Sequence, residues 1–470
     1  MQRRTFLSLM GATAAQRVFA QRTTRPPNFV VVTCDDLGYG DVGVFGSTKI
    51  RTPRLNVFAS YLGTKLEHCY AAAPVCSPSR AGLLTGRTPD RCGVYNWIPD
   101  GNRMHLRREE TTVATLLRDS GYDTAMAGKW HLNGRFNDAA QPQPGDHGFQ
   151  HWFATQNNAA PSHMNPVNFV RNGTKAGEIQ GFSSDIIVDE GIKWLEGRAG
   201  SLKPFFLYLP FHSPHEPVAT SDSYVRMYQD EREFGRAEYY GNVTQTDAAF
   251  GRLLDYLQRA GLEKNTLVLF TSDNGPETLD RYPGARRSHG SPGPFRSMKL
   301  SLYEGGIRVP GIVRTPEDFG RAGIVLQPFS GVDVLPTFCA MAGVTAPFNL
   351  DGEDQSGQLR GQAFNRQRPL HWHYFDSIDA PVAALRDQNW KVLGLCDRQN
   401  EGAGSGFNPV RDMARIRSQK LERFELYDLR RDPYERNNLA NREKERFERM
   451  SAELQRIHAE VRAEGHDWRN

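Results

Sequence analysis

The chain has 470 residues, enough to bury a large core and to form about two domains. With 39% hydrophobic and 24% charged residues it has an ordinary globular composition, and a formal charge of +4 without a long basic run excludes a dedicated nucleic-acid binder. Arg3, Arg4 and Arg17 belong to an N-terminal leader, so the remainder is close to neutral, and any attraction for an anion has to come from a local cluster of charge.

Met1–Ala20 reads as an export signal. Arg3-Arg4 precede Thr5-Phe6-Leu7 and a short apolar run, and Val18-Phe19-Ala20 resembles a cleavage site. The Arg-Arg-x-Phe-Leu order is similar to a bacterial twin-arginine signal, which would deliver the protein to the periplasm or beyond; a basic disordered tail is the alternative. No later run approaches the ~20 apolar residues of a membrane span, so none is expected. Six cysteines, at 34, 69, 76, 92, 339 and 396, make neither a disulfide framework nor a C-x-x-C zinc motif. Export would permit a Cys69–Cys92 disulfide.

Asn28–Cys34 is a β-branched run without alternation, the pattern of a strand buried on both faces of a parallel sheet. It stops at Asp35-Asp36. Adjacent carboxylates after a buried strand are costly unless something pairs them; a cation is one solution and a solvated turn the other. Thr52–Thr64 reads as a helix. Cys76-Ser77-Pro78-Ser79-Arg80 then opens a short helix that Gly86 can end. A thiol at a helix N-terminus beside an arginine sits in a field that favours an anion, thiolate or bound oxyanion. A buried cysteine next to a surface arginine is the plain alternative.

Glu109–Ser120 is an amphipathic helix, and Tyr122–Ala127 is a strand that stops at Gly128-Lys129-Trp130-His131. Asn133–Gly181 is rich in Gly, Pro, Asn and His and looks like a long surface excursion, with Trp152, Asn157, Asn158 and His163 as possible binding residues. Ser183–Arg198 is a helix. Pro204–Pro210 is a buried strand leading into His212-Ser213-Pro214-His215. A helix over Ala237–Ala260 follows, then the strand Thr266–Thr271, which ends at Ser272-Asp273-Asn274-Gly275. A Gly/Pro/Arg-rich loop leads to Lys299 and the turn Glu304-Gly305-Gly306. Four strand-like runs thus deliver polar residues at their C-terminal ends, the edge where open α/β sheets hold ligands. The alternation predicts a doubly wound, largely parallel sheet.

Beyond Asp351-Gly352-Glu353 the pattern changes. Short alternating runs, His371–Phe375 and Trp390–Leu395, precede a basic stretch, Leu426–Leu429 and a charged helix over Arg442–Ala463 that reads as a solvated face. This predicts a smaller α+β domain with a short antiparallel sheet and a packing helix. The expected division is leader 1–20, catalytic domain 21–355 and C-terminal domain 356–470.

Taken together, the motifs resemble the sulfatase family. Cys76-Ser77-Pro78-Ser79-Arg80 matches its C-x-P-S-R signature, in which the cysteine is oxidised to formylglycine before folding. The remaining matches follow in the family's order: Asp35-Asp36, Gly128-Lys129-Trp130-His131, His212-Ser213-Pro214-His215, Ser272-Asp273-Asn274-Gly275, Lys299 before Tyr303-Glu304-Gly305-Gly306, Leu426-Tyr427-Asp428-Leu429 and Asp432-Pro433. The resemblance implies an alkaline-phosphatase-like α/β sandwich, its large central sheet flanked by helices.

On residue chemistry alone, Asp35, Asp36, Asp273 and Asn274 offer only oxygen ligands, which suits a hard cation. The resemblance favours Ca²⁺, with Mg²⁺ as the fallback, and adds an oxygen of modified Cys76 as a ligand. It also implies a mechanism. One hydroxyl of the formylglycine hydrate attacks sulfur, and His215 protonates the leaving alcohol. His131 deprotonates the second hydroxyl, while Arg80, Lys129 and Lys299 hold the sulfate oxygens. His215 fits the family's histidine better than His212. The implied partners are a sulfated small molecule or saccharide and, during maturation, a formylglycine-generating enzyme.

The function expected is hydrolysis of a sulfate ester on a carbohydrate or aryl alcohol. A phosphodiesterase or phosphonate monoester hydrolase sharing the motif is the alternative within the superfamily. A sugar-binding protein with a dead site would show gaps among the matched positions, and there are none. Trp97, Trp152 and Arg286-Arg287 are candidates for sugar and anion contacts. The alcohol, the choice of exo or endo action and the oligomeric state are left open by the sequence.

Overall fold

The computed structural model describes residues 25–321, 323–396 and 406–469; the leader and its twin-arginine-like motif fall outside them. Asn28–Asp35 is the spine of a ten-stranded sheet, and all its residues are buried. It pairs in parallel with Phe205–Pro214 on one side and Thr266–Ser272 on the other. Asp123–Lys129 joins Phe205–Pro214, and His151–Thr155 joins Asp123–Lys129, both in parallel. Beyond Thr266–Ser272 the order runs through Gly311–Arg314 (antiparallel), Thr64–Leu66 and Ile324–Val325. A small hairpin of Val170–Arg171 and Thr174–Lys175 closes the opposite edge.

The two-residue period of the spine explains its unbroken apolar run, because each face meets helices. Val30 and Val32 pack with Ile187 and Val188 of the helix Ser183–Glu196 and with Phe250, Leu253 and Leu257 of Arg236–Arg259. Phe29 and Val31 pack with Leu84 of Cys76–Thr85, Leu117 of Val113–Asp119 and Phe338 of Val334–Ala342. Both faces are covered, as parallel sheets require. Among the described residues no helix is long and apolar enough to cross a membrane.

A separate four-stranded antiparallel sheet takes the order Leu370–His373, Pro381–Asp387, Trp390–Leu395, Arg423–Asp428. One face packs through Trp372, Leu393 and Tyr427 against Tyr70, Leu300 and Leu302, so it braces the segment carrying Lys299. The other is covered by the helix Lys444–Glu464. Met450, Leu454, Ile457 and Val461 recur at helical spacing along it and are buried. The final helix is thus the packing helix expected of this domain, with its charged residues on the other face.

Several local expectations are corrected. The stretch Asn133–Gly181 is not a plain surface excursion, since His151–Thr155 is a strand of the main sheet. Trp152 within it is buried, its ring edge-on to Phe136, so it cannot wall a ligand site. The helix expected over Thr52–Thr64 is shorter: Pro53–Val57 gives way to a wide turn, Phe58–Leu62, and Thr64 already pairs with Val313. All six cysteines are free and buried, so Cys69 and Cys92 form no disulfide; their sulfurs lie 3.7 Å and 3.5 Å from the hydroxyls of Thr271 and Thr85. The basic stretch holds an unforeseen helix, Pro409–Ser418, whose Asn408 side chain caps Val410 and Arg411 N–H.

The two sheets are tied by a fully buried ion network. Lys391 Nζ donates to Glu304 Oε1 at 3.0 Å and lies 2.9 Å from Glu435 Oε1, and all three side chains are sealed from solvent. Lys391→Met leaves Glu435 buried without its cation and Glu304 with Arg308 alone, at 3.5 Å. It should cost about 3–5 kcal/mol, read as a fall in the urea midpoint with an unchanged slope; an unshifted midpoint would show that the network contributes nothing.

Candidate active site

The C-terminal ends of the central strands converge as expected. Asp35 ends the spine strand and Asp36 follows it with φ 66, a left-handed conformation that turns its carboxylate back toward the sheet edge. Asp273 and Asn274 follow Thr266–Ser272, Lys129 ends Asp123–Lys129, and His212 lies within Phe205–Pro214 with His215 just beyond it. Cys76 is the first residue of the buried helix Cys76–Thr85, which Gly86 ends at φ 68.

Three carboxylates meet three cations here. Lys129 Nζ donates to Asp35 Oδ2 at 2.6 Å, and Lys299 Nζ to Asp36 Oδ2 at 2.7 Å. Arg80 donates through Nε and Nη2 to Asp273 Oδ2 at 2.9 and 2.6 Å, and through Nη1 to the Lys129 carbonyl at 2.9 Å. Asn274 Nδ2 donates to Asp36 Oδ1 at 2.7 Å, while its Oδ1 is buried without a partner. Cys76 Sγ donates to Asp35 Oδ1 at 3.2 Å. Every residue of this network is essentially inaccessible to solvent.

The electrostatics follow from burial and neighbours. Burial would raise Asp35, but Lys129, His215 and Arg80 hold it well below the usual carboxylate range. Asp36 is pushed up to about 6 by burial, with Lys299 opposing and Asp35 adding to the rise. Asp273 is likewise pushed up to about 6 by burial and by Asp35, against Arg80. The Cys76 thiol is not acidified: burial, then the charge of Asp35, push it well up. Lys129 and Lys299 pull the other way and lose that contest.

The two histidines are fixed by backbone carbonyls. His131, at φ 55, donates from Nε2 to Ile98 O at 3.2 Å, which leaves Nδ1 as a bare, buried acceptor. Burial, then Lys129 and Arg80, hold its imidazole well below the usual range. His215 donates from Nδ1 to Glu216 O at 2.6 Å, so its Nε2, 3.6 Å from Asp36 Oδ2, is the ring nitrogen left without a hydrogen in the neutral ring. Burial lowers it to about 4, opposed by Asp35 and assisted by Lys299. His212 is bound instead to the hydroxyl of Thr155 at 2.8 Å.

A cavity of about 340 Å³ opens onto this network, with Cys76, His131, His215 and Lys299 in its wall. Trp97, Asn157 and Asn158 also line it, as do Glu277, Arg281 and Tyr282. The last three were not foreseen. Glu277 and Arg281 form a salt bridge at 2.7 Å, and Glu277 also lies 3.7 Å from Lys299. Arg286 and Arg287 are not in the cavity wall; Arg286 is exposed and Arg287 lies over the Phe234 ring.

One ligand atom each from Asp35, Asp36, Cys76 and His215 lies within 4.8 Å of the others, a possible metal-holding group. The central sheet, flanked by helices and carrying this site at the C-terminal ends of its strands, has the alkaline-phosphatase-like fold. Residues 27–344 match the Sulfatase family model, and the chain belongs to the sulfatase family. It is 33% identical to human arylsulfatase A over 88% of this chain and 83% of that one. It is 29% identical to rat N-acetylgalactosamine-6-sulfatase over 91% and 84%. Among solved structures, Ps i-CgsB in complex with k-i-k-neocarrahexaose superposes with a TM-score of 0.76 at 26% identity, covering 92% of this chain and 93% of that one. The enzyme is a sulfatase.

The burial of every cysteine has a direct consequence. Unmodified protein should react with a thiol reagent at no more than a small fraction of its six sites when folded and at all six in guanidinium. Rapid native labelling of Cys76 would contradict the packing of its helix.

Proposed function

We propose that this sulfatase cleaves a sulfate monoester carried by a carbohydrate or aryl alcohol, with Cys76 as the precursor of a formylglycine that supplies the attacking oxygen. The position of Cys76 carries the reading. It begins a buried helix, faces the ligand cavity and sits against Asp35 and the cations of the network. As a thiol it is held protonated there and is a poor nucleophile. An oxygen on the same side chain would instead join a set of oxygen donors.

Asp35, Asp36, Asp273 and Asn274 fit a hard cation, Ca²⁺ before Mg²⁺. The raised Asp36 and Asp273 and the unpartnered Asn274 Oδ1 support that fit, since each gains from a nearby positive charge. When bound, such an ion would favour the ionised form of a hydroxyl at residue 76. Arg80, Lys129 and Lys299 would hold the oxygens of the bound sulfate group. His215 Nε2 would give a proton to the leaving alcohol, and His131 Nδ1 would accept one. Trp97 and Tyr282 provide ring faces for a sugar or aryl group. The saccharide complex of Ps i-CgsB supports a carbohydrate substrate. The leader reading places the enzyme outside the cytoplasm after conversion of Cys76.

Cys76→Ala should lower kcat/KM on an aryl sulfate by roughly 10⁴-fold or more with an unchanged melting temperature. Protein from a host that forms formylglycine should show one titratable thiol fewer in guanidinium than protein from a host that does not. Turnover by fully unmodified protein would refute the assignment of Cys76. A large preference for aryl phosphonate or phosphodiester over aryl sulfate would replace the proposed substrate class. Dialysis against a chelator should lower the melting temperature and activity together, with Ca²⁺ restoring both; Asp273→Asn should abolish that response. If neither chelator nor Ca²⁺ moves either quantity, the cation assignment falls.

A further inference from the structure

The proposed reaction leaves one cation of the active-site cavity without a task. Lys299 and Arg281 carry the permanent positive charges in the cavity wall. Lys299 is given the sulfate, while Arg281 enters no step. Arg281 is nevertheless firmly fixed. Its Nε donates to Glu277 Oε1 and its Nη2 to Glu277 Oε2, each at 2.7 Å, and its guanidinium carbon lies 5.0 Å from the centre of the Tyr282 ring. Burial would raise Glu277, but the hydrogen bonds of Arg281 and the charge of Lys299 hold it at about 2, so the carboxylate that grips Arg281 stays ionised. Lys299 Nζ lies 3.7 Å from the same Glu277 Oε2, so the two cations flank one oxygen atom.

The grip uses only one edge of the guanidinium. Nη1 donates to nothing among the described residues and keeps surface open to solvent, within a side chain that is 21% exposed. The end formed by Nη1 and Nη2 is therefore free to take a second oxyanion with two parallel hydrogen bonds. An arginine already held by a carboxylate and a ring loses little further freedom on binding, so more of that contact appears as affinity. Because Arg281 and Lys299 share Glu277 Oε2, a group held by Arg281 is a near neighbour of a sulfate held by Lys299.

We propose that Arg281 is a specificity-determining residue, binding a second acidic group, carboxylate or sulfate, on the alcohol that carries the scissile sulfate ester. The proposal rests on the reading of this cavity as the sulfate-ester site. It narrows the substrate class to sulfate esters with a second anionic substituent close to the ester, as on a sulfated uronic acid or a doubly sulfated sugar.

The test measures binding without turnover, on full-length Cys76→Ala protein in buffer containing Ca²⁺. Calorimetric titration compares phenyl sulfate with its ortho-, meta- and para-carboxyphenyl analogues. The isomers carry the same charge and differ only in where the carboxylate falls. At least one should bind roughly ten-fold more tightly than phenyl sulfate or better, and the isomers should differ from one another by several-fold. The gain should vanish when Arg281→Gln is added and return in part with Arg281→Lys. Phenylene disulfates of matching geometry separate the two sources: tighter binding than the carboxylate assigns a second sulfate, weaker binding a carboxylate. If Arg281 serves only to hold Glu277, Arg281→Gln weakens phenyl sulfate and its carboxyphenyl analogues by the same factor, and the proposal is overturned. It is overturned equally if no isomer binds more tightly than phenyl sulfate, a result that needs no substitution at Arg281 and so does not depend on how that variant folds. Because Cys76→Ala turns nothing over, failure of the proposed reaction would appear separately, as absent turnover of every aryl sulfate by the mature enzyme, and these affinities would still decide the role of Arg281.

Discussion

The molecule depends on a cancellation of charge at one end of its central strands. Asp35, Asp36 and Asp273 are buried side by side, and an isolated buried carboxylate either takes up a proton or costs several kcal/mol. Each is matched instead: Asp35 by Lys129, Asp36 by Lys299, Asp273 by Arg80. The match is uneven, and that matters chemically. Asp35, with Lys129, His215 and Arg80 around it, is held ionised, whereas burial dominates at Asp36 and Asp273. The cluster is thus closely balanced and responsive to any further charge brought near it.

Close backbone contacts hold the cations in reach. A Cβ on Gly128 would meet the Pro210 carbonyl oxygen at 1.9 Å, and the residue has φ 127, so only glycine lets the end of the Lys129 strand lie against its neighbour. Gly305 and Gly306 are tight for a different reason. Side chains there would strike the carbonyl oxygens of Ser297 and Ser301 at 2.1 Å, the loop that presents Lys299. Gly306 O also accepts from Gly275 N–H at 2.9 Å, which ties that loop to the Asp273–Asn274 turn. The glycine motifs are the geometry behind the charge pairing, and the Lys391 network anchors the same turn to the second sheet through Glu304.

The parts of the architecture legible in the sequence were those with a single strong signal. β-Branched runs with no alternation marked Asn28–Asp35 and Thr266–Ser272, because both of their faces are buried. Polar residues just past such runs marked most of the site. His151–Thr155 carries no such signal, because it is short and set among Gly, Pro and Asn, and its place is decided by pairing with Asp123–Lys129 rather than by its own pattern. The same holds for Trp152: in a loop an aromatic ring suggests a ligand, while in this strand it is core. The acidified thiol failed on magnitude, since a helix terminus is a partial charge at one end of Cys76 and full burial beside Asp35 acts on the whole group. Glu277, Arg281 and Tyr282 lie in a loop without periodicity, and only the folded chain brings them over the cavity.

The same balance bears on how a proton could be delivered under the proposed reaction. His215 is held low chiefly by burial and then by the nearby lysine charges, with Asp35 pulling the other way. Lowered to about 4, its imidazole is neutral at neutral pH. An anionic ester lodged between Lys129 and Lys299 brings negative charge into the same small space and offsets the lysine field that His215 feels. The substrate's own charge would therefore raise the affinity of Nε2 for the proton that the leaving alcohol needs. His131 lies under Lys129 and Arg80 and keeps its N–H on Ile98, so its Nδ1 remains the acceptor. Under the proposed reaction the two histidines of one cavity would take opposite tasks, set by which ring nitrogen the backbone occupies and by which charges the bound ester reaches.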